Sequence, residues 1–144
     1  VAVTTYLDAS ALVKILLREA DEDDARLLWR AAGRRATSVV AYVEASAAIS
    51  AAVRDGRLGE AAARRRRAEL DRRWEEVDPV GLDDDLLRMA GDVANEAGLR
   101  ALDAIHLATA LYLGLPTVLF VTWDGRLAAS AARLGLAVAP ASLA

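Results

Sequence analysis

Apolar residues along this chain fall into two alternating kinds of run. The short, nearly continuous ones are "VTTYL" at 3–7, "RRATSVV" at 34–40, "TVLFVT" at 117–122 and "LAVAP" at 136–140. Runs of that length, rich in β-branched residues, predict strands buried on both faces. Longer segments with helical spacing lie between them. "SALVKILL" follows the first strand, with Ser10 as its expected N-cap. "ARLLWRAA" predicts a helix with Leu27, Leu28 and Ala31 on one stripe, and the helix ending at "RDG" carries Val40, Glu44, Ala47, Ala48 and Ala51. "LGEAAARRRRAELDRR" is strongly helix-forming; "WEEV" then reads as a short strand and "DPVG" as a turn, since its proline stops a helix. The next helix starts at Asp83 to Asp85, where acids suit the positive end of the dipole, and carries Leu86, Ala90, Val93, Ala94 and Ala97 up to Gly98. "ALDAIHLATALYLG" and "DGRLAASAARLG" supply the last two helices.

Strands alternating with helices predict an α/β fold, a parallel sheet covered on both faces. In such sheets the site lies beyond the carboxyl ends of the strands. No repeat, linker or second boundary interrupts residues 1–144, so a single domain is expected; with 55% hydrophobic composition the chain has material for one sizeable core.

Composition narrows the chemistry. There is no cysteine and only one histidine, so disulfides and thiolate metal sites are excluded and a zinc cluster is not expected. No apolar stretch is long enough to span a bilayer and no signal-peptide pattern opens the sequence, which together predict a cytoplasmic protein with no membrane partner. The net charge of −3 argues weakly against a polyanion-binding surface. Arginines nevertheless cluster at Arg64 to Arg67 and at Arg72 and Arg73, a pattern that first reads as a solvated helix face. The lysine of a P-loop, the glycines of a dinucleotide fingerprint and the G-x-S-x-G elbow are all missing.

Carboxylates remain. Asp8 and Asp124 each end a strand, so both emerge at the functional edge if those strands are neighbours. Glu44 and Asp103 each interrupt an apolar helical stripe, and a carboxylate on a buried face is costly unless paired or metal-bound. Taken singly, Asp8 and Asp124 could be helix caps, Glu44 a salt-bridge partner and Asp103 a dipole-stabilising acid. Taken together, with no comparable basic partners in their motifs, four converging acids would repel unless a cation neutralised them. An all-oxygen donor set selects Mg²⁺ or Mn²⁺ over zinc or copper. Ser10 and Thr122 could orient a ligating carboxylate or a water. His106 lies three residues after Asp103, as a group behind the acids or a purely structural one. Lys14, the only lysine beside seventeen arginines, could reach the acidic edge or snorkel to solvent.

The segments "YLDASALVK", "SVVAYVEASAAI", "LRALDAIHLATAL" and "VTWDGRL" resemble, in order, spacing and flanking residues, the four acidic motifs of PIN-domain ribonucleases, particularly VapC-type toxins. The resemblance covers essentially the whole chain. It implies a PIN-like three-layer sandwich with a parallel sheet of about five strands. It assigns the family's acids to Asp8, Glu44, Asp103 and Asp124, with Ser10 and Thr122 as hydroxyl companions. It further implies an Mg²⁺- or Mn²⁺-dependent endoribonuclease acting on RNA, a homodimer, and a cognate antitoxin covering the acidic pocket. Ser10 is then expected to cap the first helix and leave Asp8 free as a metal ligand. The alternatives are a catalytically silent PIN-like interaction module, a Mg²⁺-dependent phosphatase or a receiver-like domain. The phosphatase wants D-x-D, where this chain has Asp8-Ala9-Ser10, and the receiver wants paired acids and a strand-end lysine.

Overall fold

The computed structural model describes residues 3–114 and 116–140. Five parallel strands, β1 (Thr4–Leu7), β2 (Arg34–Ser38), β3 (Asp78–Val80), β4 (Val118–Val121) and β5 (Ala137–Ala139), form one sheet in the order β3-β2-β1-β4-β5. Seven helices pack around it: α1 (Ala9–Leu16), α2 (Glu22–Ala31), α3 (Val40–Arg54), α4 (Glu60–Trp74), α5 (Asp84–Ala97), α6 (Ala101–Leu113) and α7 (Gly125–Arg133). Among the described residues no helix is long and apolar enough to cross a membrane.

The central strands split their side chains between two cores because successive residues point to opposite faces. Tyr6 and Phe120, paired in register, stack at 5.4 Å between ring centroids on the face covered by α5, α6 and α7. Leu7 and Val121, the next pair, face the layer of α1 to α4. All four of these side chains are essentially fully buried. At roughly 1.5–3 kcal/mol for burying one large apolar side chain, these two layers fix the register of β1 against β4.

That register positions the site. The chain leaves β1 toward β2 on one side and β4 lies on the other, so the crevice at the carboxyl ends of β1 and β4 is the switch point of the sheet. Asp8 and Asp124 follow those two strands, and the strands are neighbours, which meets the condition for the two acids to share an edge.

Four local expectations are corrected. "WEEV" is not a strand: Trp74 ends α4 and the strand is Asp78–Val80 within "DPVG". Pro79 is tolerated there because β3 is the edge of the sheet. On α2 the buried residues are Ala25 and Trp29, while Leu27 is 59% exposed. The indole sets that phase, held between Arg35 and Arg73, whose guanidinium carbons lie 4.8 and 5.0 Å from its centroid. On α3 the buried face is Ala41, Ala45, Ile49 and Ala52, one position from the expected stripe, so Glu44 flanks the core rather than interrupting it. Finally, Ser10 lies inside α1, and Asp8 is the N-cap, accepting from the Ala11 N–H at 3.2 Å.

Candidate active site

Asp8 is the buried centre of the acidic edge, with 4% of its surface exposed. Its N–H donates to the Val121 carbonyl, which ties it to the end of β4. Both carboxylate oxygens are held. Ser10 Oγ donates to Oδ1 at 2.6 Å, together with the Ala11 N–H, and Thr122 Oγ1 donates to Oδ2 at 2.6 Å. The two hydroxyls are themselves anchored, since Ser10 Oγ accepts from the Trp123 N–H at 2.9 Å and Thr122 Oγ1 accepts from the Asp124 N–H at 3.0 Å. Ser10 and Thr122 thus each donate to one oxygen of the Asp8 carboxylate. Burial pushes the Asp8 carboxyl above its usual range, although His106, when protonated, and the bonds from Ser10, Thr122 and Ala11 pull the other way.

Asp124 caps α7 through the Leu127 N–H at 3.0 Å and keeps its Oδ2 on the open side. Asp103 sits in the first turn of α6 with its side chain 22% exposed. Arg100, one turn earlier, reaches both, lying 3.3 Å from Asp103 Oδ2 and 3.6 Å from Asp124 Oδ2. The expectation that these motifs lack a basic partner is therefore overturned: a guanidinium bridges two of the four acids.

Glu44 is engaged elsewhere. Its Oε1 lies 2.6 Å from His106 Nε2, and His106 Nδ1 lies 2.7 Å from the Tyr6 hydroxyl. A carboxylate only accepts, so Nε2 carries the proton; in the neutral imidazole Nδ1 then accepts from Tyr6. Burial, and next the charge of Asp8, push the Tyr6 hydroxyl well above the usual tyrosine value, so it stays protonated as a donor. His106, 1% exposed, is both structural and joined to the site.

The sequence-chosen residues accordingly gather as one buried carboxylate, a bridged pair and a histidine-held glutamate around the same edge. Among the described residues no three His, Cys, Asp or Glu side chains stand close enough together to hold a metal ion. The donor chemistry fits a hard cation nonetheless: the acids supply only oxygen, and the place between Asp103 and Asp124 already accommodates the positive charge of Arg100. Lys14 lies along the edge, lining an open groove of about 450 Å³ with Glu44 and Asp124. A second cleft, about 390 Å³, is lined by Glu44, Arg100 and Asp103.

Sequence reasoning missed Tyr6, Arg100 and Trp123. Tyr6 carried a signal, because a hydroxyl in a strand buried on both faces requires a partner. Arg100 did too, three residues ahead of Asp103 at a helix start, where side chains meet.

The family model of the PIN domain matches residues 5–134. Ribonuclease VapC49 of Mycobacterium tuberculosis is 39% identical over 142 residues, covering 96% of each chain. Ribonuclease VapC46 of the same organism is 37% identical, covering 92% of this chain and 94% of that one. Among solved structures, a protein of Pyrobaculum aerophilum superposes with a TM-score of 0.68 at 27% identity, over 98% of this chain and 93% of that one. Mycobacterium tuberculosis VapC20, described as a toxin cleaving the sarcin-ricin loop, superposes with a TM-score of 0.65 at 21% identity, over 88% and 94%, which establishes the fold alone.

Proposed function

The chain belongs to the PIN-domain family, in the branch of the VapC ribonucleases, and from that premise we propose that it is an endoribonuclease requiring Mg²⁺ or Mn²⁺, the toxin of a type II toxin-antitoxin pair. The observation that carries the reading is Asp8, a carboxylate buried at the switch point with both oxygens pre-oriented by hydroxyls and joined through Thr122 to Asp124, itself bridged to Asp103 by Arg100. A carboxylate that served only as a helix cap has no use for the second hydroxyl, whose carrier sits at the end of β4.

In this reading Asp8, Asp103 and Asp124 are the acids that would hold a divalent ion, with Glu44 completing the set directly or through water. The bound ion supplies charge neutralisation at the scissile phosphate and acidification of water. The chain's own residues do the rest. Ser10 and Thr122 keep the Asp8 oxygens aimed at the edge. His106, braced by Tyr6, holds Glu44 with the shared proton on Nε2, which fixes where that carboxylate can accept another. Arg100 bridges the acid pair and, were an ion to take its place there, would be a cation at the rim for the RNA phosphates. The site serves one domain, and the reading includes the homodimer and an antitoxin that covers the acids.

The test is hydrolysis of a single-stranded RNA panel by purified protein, with Mg²⁺ or Mn²⁺ and with chelator. Cleavage by the wild type and its loss in a folded Asp8→Asn variant are expected. An Asp8→Asn variant cutting at the wild-type rate would overturn the assignment.

A further inference from the structure

The groove on the α1 side of the acids holds two side chains that the reading above leaves unused, Lys14 and Trp123. Ser10, Lys14, Glu19, Glu44, Trp123 and Asp124 line it. We propose that Lys14 and Trp123 form a nucleotide subsite there, in which the indole stacks one unpaired base of single-stranded RNA and the ammonium meets the phosphate beside it. The proposal rests on the nuclease reading and adds to it the residues that seat the strand.

Three observations carry it. Trp123 is half-buried: it packs against the core under β1 and β4 and also lines the groove, so its ring is braced rather than loose. Its backbone is tied to the acid through one residue, since Ser10 Oγ accepts from the Trp123 N–H at 2.9 Å and donates to Asp8 at 2.6 Å. A base on that ring therefore belongs to a nucleotide next to the phosphate over the acids. Lys14, in the last turn of α1, forms no ion pair among the described residues, although Glu19, Glu44 and Asp124 line the same groove. Its ammonium is available, and an RNA backbone brought to an edge of carboxylates needs such a cation. About 450 Å³ of space suits one nucleotide unit, and a shallow groove with an aromatic wall selects an unstacked base over a duplex.

The experiment uses a fluorescein-labelled mixed-sequence RNA decamer and the Asp8→Asn background, which on the nuclease reading binds without cutting. Trp123→Leu, which fills volume without a π-face, is expected to weaken binding about tenfold, whereas Trp123→Phe recovers most of it. Indole fluorescence quenching on binding should disappear in Trp123→Phe. For Lys14→Ala, the slope of log affinity against log salt should shrink by about 0.7, the contribution of one phosphate contact on a single strand. In the otherwise wild-type protein both Trp123→Leu and Lys14→Ala should raise KM for RNA. If wild-type protein cuts RNA while these variants keep its KM, affinity and salt slope, the subsite is wrong and the nuclease reading stands. If the wild type cuts no RNA, both fall.

Discussion

Thr122 Oγ1 and Asp8 Oδ2 are 114 positions apart in the chain and 2.6 Å apart in the fold. The same oxygen of Thr122 receives the Asp124 N–H, so one fully buried hydroxyl couples an acid after β1 to an acid after β4. Thr122→Val keeps the shape and removes that coupling. It should cost about 1–3 kcal/mol in urea unfolding, from polar groups left unpaired, and lower RNA cleavage about 10–100-fold, the usual penalty for losing a group that orients a metal ligand. Thr122→Ser should restore most of both.

Metal-free protein carries an electrostatic penalty at Asp8. Burial raises its folded-state pKa above the unfolded value, so the native state binds the proton more tightly. Stability attributable to this group is highest below the unfolded pKa, near 3.9, and is lost as pH rises through the folded one. At pH 7 in chelator, Asp8→Asn is expected to melt no lower than wild type, with its relative advantage shrinking as the solution is acidified. Mg²⁺ should raise the wild-type Tm and leave the variant's unchanged. A wild-type Tm indifferent to the ion would remove the metal from this account.

Arg100 is 80% exposed, so its ion pairs matter for occupancy more than for stability. Arg100→Ala frees Asp103 and Asp124, and the ion concentration giving half-maximal thermal stabilisation should fall several-fold. KM for RNA should rise in the same variant as a rim cation is lost. An unchanged ion requirement would show that the bridge does not compete with the metal.

Tyr6→Phe leaves His106 Nδ1 without its donor deep in the core. The variant should lose about 1–3 kcal/mol of stability and, as His106 loosens its hold on Glu44, a fraction of kcat with little change in KM. His106→Gln, which can still donate to Glu44, should retain more activity than His106→Ala.

Much of this was legible in the chain because the strands are short, apolar and bounded. "TVLFVT" and "VTTYL" led directly to neighbouring β4 and β1, and so to Asp8 and Asp124 at one edge. Helix phase was harder. Alanines occupy both faces of α3, so hydrophobic contrast is weak, and Ile49 alone discriminates the buried side. On α2 Trp29 takes the core position at the expense of Leu27, while Leu28 packs at its margin. The capping assignment failed because Asp8 performs two tasks at once: one oxygen serves the helix N–H, the other the sheet edge. Of the two contacts of Arg100, the one with Asp103 is local and readable from its spacing, whereas the bridge to Asp124 depends on tertiary approach, which no local spacing announces.

The sheet order has a consequence during synthesis. β1 is made first, yet one of its two neighbours, β4, emerges only after more than a hundred further residues. A nascent chain stopped before Val118 has the first three acids but neither the strand nor the hydroxyl that sets Asp8. Such a fragment cannot assemble the edge. The acidic edge is therefore put together only after β4 and Thr122 have been made, late in the order of synthesis.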